Sequence, residues 1–339
     1  MRREEETRKS KVSPSRGSAF LGLWLLIALL AAEAHAQQPG KVHQIGYLIS
    51  GSPAAWANRV DALRMGLRDL GYIEGKNITI VFRAAETPDR LPEVAADLVR
   101  LKVDIIFATS STEVQAARRA TRTIPIVFAT HADPVGLGHV ANLARPGGNV
   151  TGLSMLLTEL ATKELEIMKR ALPQTTRIGV LVTSTAPSHV PALHAVEAAA
   201  SKLGVQVLPV LVRTAEDLEG AFARMARERL DGVLAVASPL TRSQRALLAD
   251  LSLKHRLPAM FGTRDNVEAG GLMSYAPDLV DLTRRAATYI DRILKGAKPA
   301  ELPVEQASKY EFVVNLKTAK MLGITIPRSV LLQADQIIE

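Results

Sequence analysis

Short apolar runs in this chain give way to helical stretches through loops rich in small hydroxyl residues. In the first half these loops are Ser50-Gly-Ser-Pro-Ala-Ala-Trp56, Thr109-Ser-Ser-Thr112 and Thr130-His-Ala-Asp133. In the second half they are Thr183-Ser-Thr-Ala-Pro-Ser188, Ala237-Ser-Pro239 and Gly262-Thr-Arg264, and Ser274-Tyr275 follows a further apolar run. Ser, Thr and Asp before a helix satisfy its free amides. The same amides, together with hydroxyls, bind a carboxylate or another anion. Both readings stand for each loop. The candidate ligand-binding residues are Ser50, Ser52, Trp56, Thr109, Ser110, Ser111, Thr130, His131, Thr183, Ser184, Ser188, Ser238, Arg264 and Tyr275. Trp56 and Tyr275 offer ring faces to a planar or apolar solute, or else pack on their own elements. Arg264 and Asp265 suit a ligand carboxylate and amine, or a hinge or surface ion pair.

Catalytic and metal chemistry find little support. The 339 residues contain no cysteine, which excludes disulfides, thiolate metal sites, Fe–S clusters and a Cys nucleophile. No two of the seven histidines stand four apart, and no H-E-x-x-H, G-x-S-x-G or Walker A motif occurs. Gly136-x-Gly138-x-x-Ala141 resembles a dinucleotide fingerprint, but it lies several residues past its strand. No catalytic residue, metal or cofactor is expected. The net charge of +8 is dispersed, with no basic block carrying interleaved aromatics, so nucleic acid is not implied.

The elements that carry these loops are written twice. Expected strands cover Ile45–Ile49, Ile78–Phe82, Asp104–Ala108 and Pro125–Phe128, with helices over Arg59–Leu70, Leu91–Leu101 and Glu113–Ala120. Ile178–Val182 repeats Ile45–Ile49, Leu203-Gly204 repeats Leu70-Gly71 and Leu257-Pro258 repeats Ile124-Pro125, all three at the same spacing along the chain. Two copies make a duplicated domain instead of a solenoid. Strands that are apolar throughout and alternate with helices require parallel sheets covered on both faces. The expected fold is therefore α/β, two doubly wound Rossmann-like lobes with ligand taken outside the carboxyl ends of the strands.

Residues 1–36 read as a secretory signal peptide. Six basic residues precede the unbroken apolar run Ala19 to Ala32, and Ala34-His35-Ala36 forms the cleavage motif. That run is short for a membrane span of roughly 17–25 residues. Cleavage is expected after Ala36, giving a periplasmic protein that is not membrane-embedded. Without a Cys it is not a lipoprotein. Trp24 leaves with the leader, so Trp56 is the only tryptophan of the mature chain.

Several segments carry a family resemblance: Gly71-Tyr-Ile-Glu-Gly-Lys-Asn77, Asp133-Pro-Val-Gly136, Arg145-Pro-Gly-Gly-Asn-Val-Thr-Gly152, Glu268-Ala-Gly-Gly-Leu-Met-Ser-Tyr275 and Ile293-Leu-Lys-Gly-Ala-Lys-Pro299. Over nearly all of Val42 to Glu339 the chain resembles the extracytoplasmic solute-binding proteins of ABC importers, and more narrowly the group that includes a tryptophan-binding protein. The resemblance implies a type I periplasmic binding fold with three hinge crossings, placed at Val150–Met155, Leu272–Ala276 and near Lys309–Val314. It divides the chain into an N-terminal lobe (42–152 plus 277–308) and a C-terminal lobe (153–276 plus 309–339). It also implies capture of a small solute, such as an amino acid or another small carboxylate, and delivery to permease subunits. A receptor-feeding sensor and an α/β enzyme are the alternatives. Two-lobed racemases of this shape use paired cysteines, which are absent here.

Overall fold

The computed structural model describes residues 41–339, so the leader and its cleavage point lie outside the described residues. The written duplication folds as two sheets. Strands β1 (His43–Ser50), β2 (Ile78–Ala85), β3 (Ile105–Ser110), β4 (Ile126–His131) and β5 (Val150–Ser154) belong to the first. Strands β6 (Arg177–Thr183), β7 (Gln206–Val212), β8 (Gly232–Ala235), β9 (Ala259–Phe261) and β10 (Met273–Pro277) belong to the second. A short β11 (Glu305–Gln306) adds to the first sheet, and β12 (Tyr310–Asn315) and β13 (Gln336–Ile338) add to the second. The orders are β11-β5-β4-β3-β1-β2 and β13-β12-β10-β9-β8-β6-β7, so the shared block runs β5-β4-β3-β1-β2 in one and β10-β9-β8-β6-β7 in the other. The repeat read from residue spacing is thus a repeat of topology.

The chain passes between the sheets three times: after β5, after β10, and between β11 and β12. One pairing departs from the parallel expectation. β10 leaves the second sheet for the first lobe while β12 returns from it, and the two therefore run antiparallel, Met273 opposite Val314 through Pro277 opposite Tyr310. A second difference is length. β1 and β2 stay in register through Ser50 opposite Ala85, so Ser50 closes a strand and does not begin a loop.

The helices are α1 (Ala57–Asp69), α2 (Leu91–Arg100), α3 (Ser111–Ala120), α4 (Leu157–Ala171), α5 (His189–Lys202), α6 (Asp217–Arg227), α7 (Pro239–Ser243), α8 (Arg245–Lys254), α9 (Arg264–Glu268), α10 (Leu279–Leu294), α11 (Leu316–Leu322) and α12 (Arg328–Leu331). Alternate residues of β1 feed opposite cores: Ile45, Tyr47 and Ile49 pack with α1 and α10, while Leu48 packs with α2 and α3. β6 does the same, Ile178, Val180 and Val182 toward α4 and α5, and Leu181 toward α6 and α8. Both sheets are covered on both faces, as continuous apolar strands demand.

α10 returns to the first lobe against α1 and β4. Its cap is strong, since the Asp278 carboxylate accepts from the amides of Val280 (3.0 Å) and Asp281 (2.9 Å). Helix α1 meets α10 at Gly66, where an added Cβ would lie 2.4 Å from the Arg284 carbonyl oxygen. Gly66→Ala is therefore expected to push the two helices apart and lower stability by about 1–3 kcal/mol, readable by chemical denaturation. Gly152 in the first crossing has φ +147°, and a Cβ there would collide with the Phe128 backbone of β4. The Arg145–Gly152 segment needs its final glycine for that close approach.

Candidate functional site

Loops from both lobes meet over a cleft that encloses about 470 Å³ of space, part of it open to solvent. The first lobe supplies Trp56, Arg59, Ser110, Ser111, Thr112 and Thr130; the second supplies Ala186, Ser188, His189, Ser238, Arg242 and Thr263. Met155 and Leu279, each just past a crossing, close it on the apolar side. A wider outer cavity of about 1020 Å³ shares Thr112, Ala186 and Pro239 with it and carries Ser50, Ser52, Thr183 and Arg213. At that mouth Arg213 of the second lobe makes a 2.7 Å ion pair with Asp89 of the first.

The inner cavity is dominated by two arginines on one tryptophan. The guanidinium of Arg59 lies 5.4 Å, and that of Arg242 5.0 Å, from the Trp56 ring centroid. Trp56 is only 1% exposed, and its indole N–H donates to the Ser50 carbonyl at 2.9 Å. Its ring is a platform for the arginines, not an open stacking face. Arg242 is paired with Asp265. Burial would raise the Asp265 pKa, but Arg242 and Arg59 together hold it below the ordinary carboxylate value. Arg59 is different. It is 2% exposed, its Nε is buried without a partner, and no hydrogen bond or ion pair to it exists among the described residues. Burial, and then repulsion from Arg242, depress its pKa well below that of a free arginine. Asp265 and Asp278 attract Arg59, but neither makes a hydrogen bond or ion pair with it among the described residues.

Of the residues expected from sequence, Trp56, Ser110, Ser111, Thr130, Ser188 and Ser238 line the inner cavity, and Ser50, Ser52 and Thr183 the outer one. Several hydroxyls are already engaged. Ser110 is tied to Glu113 in the first turn of α3. Ser238 accepts from the Thr241 amide at 3.1 Å and meets the Thr183 hydroxyl at 2.9 Å. Thr130 donates to the Thr109 carbonyl at 2.6 Å. The capping reading is seen at Ser238, and the Ser110, Thr130 and Ser238 hydroxyls line the inner cavity.

The remaining candidates line neither cavity. Thr109 is buried behind Thr130. His131 is fully buried against His139, one layer behind Ser111. Ser184 is exposed, with its amide bonded to the Val212 carbonyl. Arg264 pairs through Nε with Glu268 (2.7 Å) and through Nη1 with Glu311 (3.3 Å) of the crossing strand β12. Tyr275 stacks on Tyr310 of the adjoining crossing strand, centroids 5.6 Å apart.

Arg59, Arg242 and His189 were missed by the hydroxyl-loop pattern. A signal was available for Arg59: it lies in the first turn of a helix at a strand end, where a cation opposes the helix dipole. His189 accepts from the Thr183 amide (2.8 Å) at Nδ1 and reaches the Ala237 carbonyl (3.0 Å) through Nε2. Both nitrogens are used in the neutral form, and burial lowers its pKa to about 4. Burial and then Arg118 bring His139 to about 4 as well, and His131 is also driven well down. The unfolded chain takes up these protons near pH 6.5, so stability is expected to fall as pH drops from 6.5 toward 4, by about 1.4 kcal/mol per pH unit per histidine. Denaturation midpoints at stepped pH check this, and His189→Gln should flatten the slope.

Comparison with known proteins gives a consistent group of relatives. A family model described as "ABC transporter substrate binding protein" matches residues 47–338. A tyrosine-binding protein from Clostridioides difficile is 28% identical over 259 residues, covering 76% of this chain and 74% of that protein. A Streptococcus pneumoniae ABC domain solved in complex with L-Trp is 28% identical, covers 87% of this chain and 99% of its own, and superposes with a TM-score of 0.80. A ligand-free, open substrate-binding protein with adhesive properties from Clostridium difficile is 25% identical, covers 88% and 99%, and gives a TM-score of 0.63. More distant solute-binding proteins, 13% and 12% identical, share the fold alone, that of type I periplasmic binding proteins.

Proposed function

The chain belongs to the family of ABC transporter substrate-binding proteins, and from that premise we propose that it captures an amino acid, aromatic by preference, in the inner cavity and delivers it to a membrane permease. The observation that carries the proposal is Arg59, a buried guanidinium with no hydrogen-bonding partner, set beside Arg242 over Trp56. A ligand carboxylate supplies the missing hydrogen-bond partner, and hydrogen bonds to a charged group contribute about 1.5–3 kcal/mol. The Ser111 hydroxyl adds a donor for the same group. Met155, Leu279, Ala132 and Ala186 leave an apolar side for a side chain.

Closure of the lobes is the proposed working motion. Arg242 from one lobe seated on Trp56 of the other, and the Arg213–Asp89 pair at the mouth, are contacts that an opened cleft must break. The better superposition on the L-Trp complex than on the open structure supports a closed arrangement here. Ligand shifts such an open–closed equilibrium by its preference for the closed form. The location we assign is the periplasm, reached through the leader.

A thermal-shift panel of amino acids on the exported protein tests the proposal. A ligand at one hundred times its Kd adds about 2.7 kcal/mol of stability. L-tryptophan or L-tyrosine is expected to raise the melting temperature. A response to sugars or polyols alone, with none to any amino acid, overturns the reading.

A further inference from the structure

Behind Ser111 runs an unbroken line of hydrogen-bonding side chains. Ser111, Gln115 and Arg119 stand at every fourth position along α3, on one face of the helix. His131 at the end of β4 and His139 beyond it join the first two of these. The Ser111 hydroxyl oxygen meets His131 Nδ1 at 3.2 Å, His131 Nε2 meets His139 Nδ1 at 2.7 Å, and His139 Nε2 meets the Gln115 amide. At the far end the Gln115 amide faces Arg119 Nη2 at 3.2 Å and Nε at 3.3 Å.

Arginine has donors only, so the atom of Gln115 that faces Arg119 is its oxygen and the atom that faces His139 is its nitrogen. The direction then propagates. The Gln115 NH₂ donates to His139 Nε2, which leaves the His139 proton on Nδ1. That proton is donated to His131 Nε2, which leaves the His131 proton on Nδ1, donated to the Ser111 oxygen. The Ser111 oxygen also accepts the Ala132 amide at 2.9 Å. Both acceptor directions of the hydroxyl are filled, and its own proton has no protein acceptor among the hydrogen bonds of the described residues. Ser111 lines the inner cavity. Both rings are buried. Burial and Arg118 also keep them neutral, so each carries a single N–H.

We propose that Arg119 fixes the polarity of this Arg119–Gln115–His139–His131–Ser111 relay, and that the relay commits Ser111 to donate into the cleft, selecting ligands that present an acceptor such as a carboxylate oxygen there. His131 and His139 are positioning residues that act through Ser111. The selection of a carboxylate rests on the function proposed above; the polarity of the relay does not.

Gln115→Glu separates the two. A carboxylate has acceptors only, so it takes hydrogen bonds from Arg119 and from His139 Nε2–H. Both rings then reverse, and Ser111 must donate to His131 instead of to the ligand. Long-range 1H–15N NMR of the histidine rings in the exported protein reads the tautomers, and calorimetry with L-tryptophan and L-tyrosine reads affinity. The expected wild-type result is Nδ1–H on both His131 and His139. The expected Gln115→Glu result is Nε2–H on both rings and affinity ten- to a hundredfold weaker for whichever amino acid the wild type binds. Nε2–H on either ring of the wild type overturns the proposal, as does a Gln115→Glu protein whose rings keep Nδ1–H. Reversed tautomers with unchanged affinity overturn the selection step. If the wild type binds neither amino acid, the amino-acid reading fails, and the tautomers still decide the relay.

Discussion

Arg59→Met is expected to abolish amino-acid capture while raising the melting temperature of the ligand-free protein. Opposite signs are the mark of a residue held for a ligand. Arg59 is buried, unpaired at Nε and repelled by Arg242. Its compensation is the attraction of Asp265 and Asp278, with which it makes no hydrogen bond, and the contact with Trp56; such ring contacts contribute about 0.5–1 kcal/mol at ordinary sites, more when desolvated. An unsatisfied buried charged donor costs more than about 1–3 kcal/mol, so the deficit wins. Methionine keeps an unbranched apolar stem over the indole and removes the charge. With ligand bound the balance inverts, because a buried charge pair loses about 2–5 kcal/mol when one partner is truncated. At about 1.4 kcal/mol per decade of affinity, the lower end of that range is a thirtyfold loss, the least expected for L-tryptophan or L-tyrosine. Calorimetry and thermal melts of the same preparation check both signs. A destabilised variant that still binds contradicts the assignment.

Glu164→Met is expected to stabilise the fold increasingly as pH rises. Glu164 lies on the inward face of α4 between Leu160, Ala161, Ile167 and Met168, fully buried, and neither carboxyl oxygen has a partner among the described residues. Burial alone pushes its pKa well up. The folded carboxyl therefore stays protonated while the unfolded one ionises near pH 4.3. For a group raised in this direction the folded state loses stability as pH rises above the unfolded value, by about 1.4 kcal/mol per pH unit until the folded carboxyl itself ionises. Methionine has no proton to lose and fills the same apolar niche. The stability gap between variant and wild type is thus expected to widen from pH 5 to pH 8 and to narrow toward pH 4. Urea denaturation at stepped pH reads it. A gap independent of pH shows that Glu164 ionises in the folded state. Below pH 6.5 this residue opposes the histidine slope, so the variant should also show steeper acid loss than the wild type.

The architecture was legible because it is written in periodicities. Apolar strands, amphipathic helices and one constant spacing, that between Ile45 and Ile178, are enough to imply two sheets of one topology. The antiparallel β10–β12 pair was not, since direction there follows from where the chain crosses, not from any local pattern. The site was half legible. Small hydroxyls at strand ends pointed to the cleft, but the hydrogen bonds that occupy Ser110, Thr130 and Ser238 depend on partners up to 55 residues away. Trp56 was found by scarcity, yet its ring is covered by two guanidinium groups, Arg59 three residues on and Arg242 brought by tertiary folding from a separate helix. His131 looked like a loop residue beside Asp133. It closes a strand and faces inward, and its reach toward the cavity is through Ser111.

The claim at the centre of this picture is that the inner cavity is built around a ligand carboxylate held by Arg59. Parallel calorimetric titrations of the exported protein with L-tryptophan and with tryptamine, which keeps the indole and the amine but lacks the carboxylate, test it most directly. L-tryptophan is expected to bind and tryptamine to bind at least thirtyfold more weakly. Equal binding of the two would contradict it.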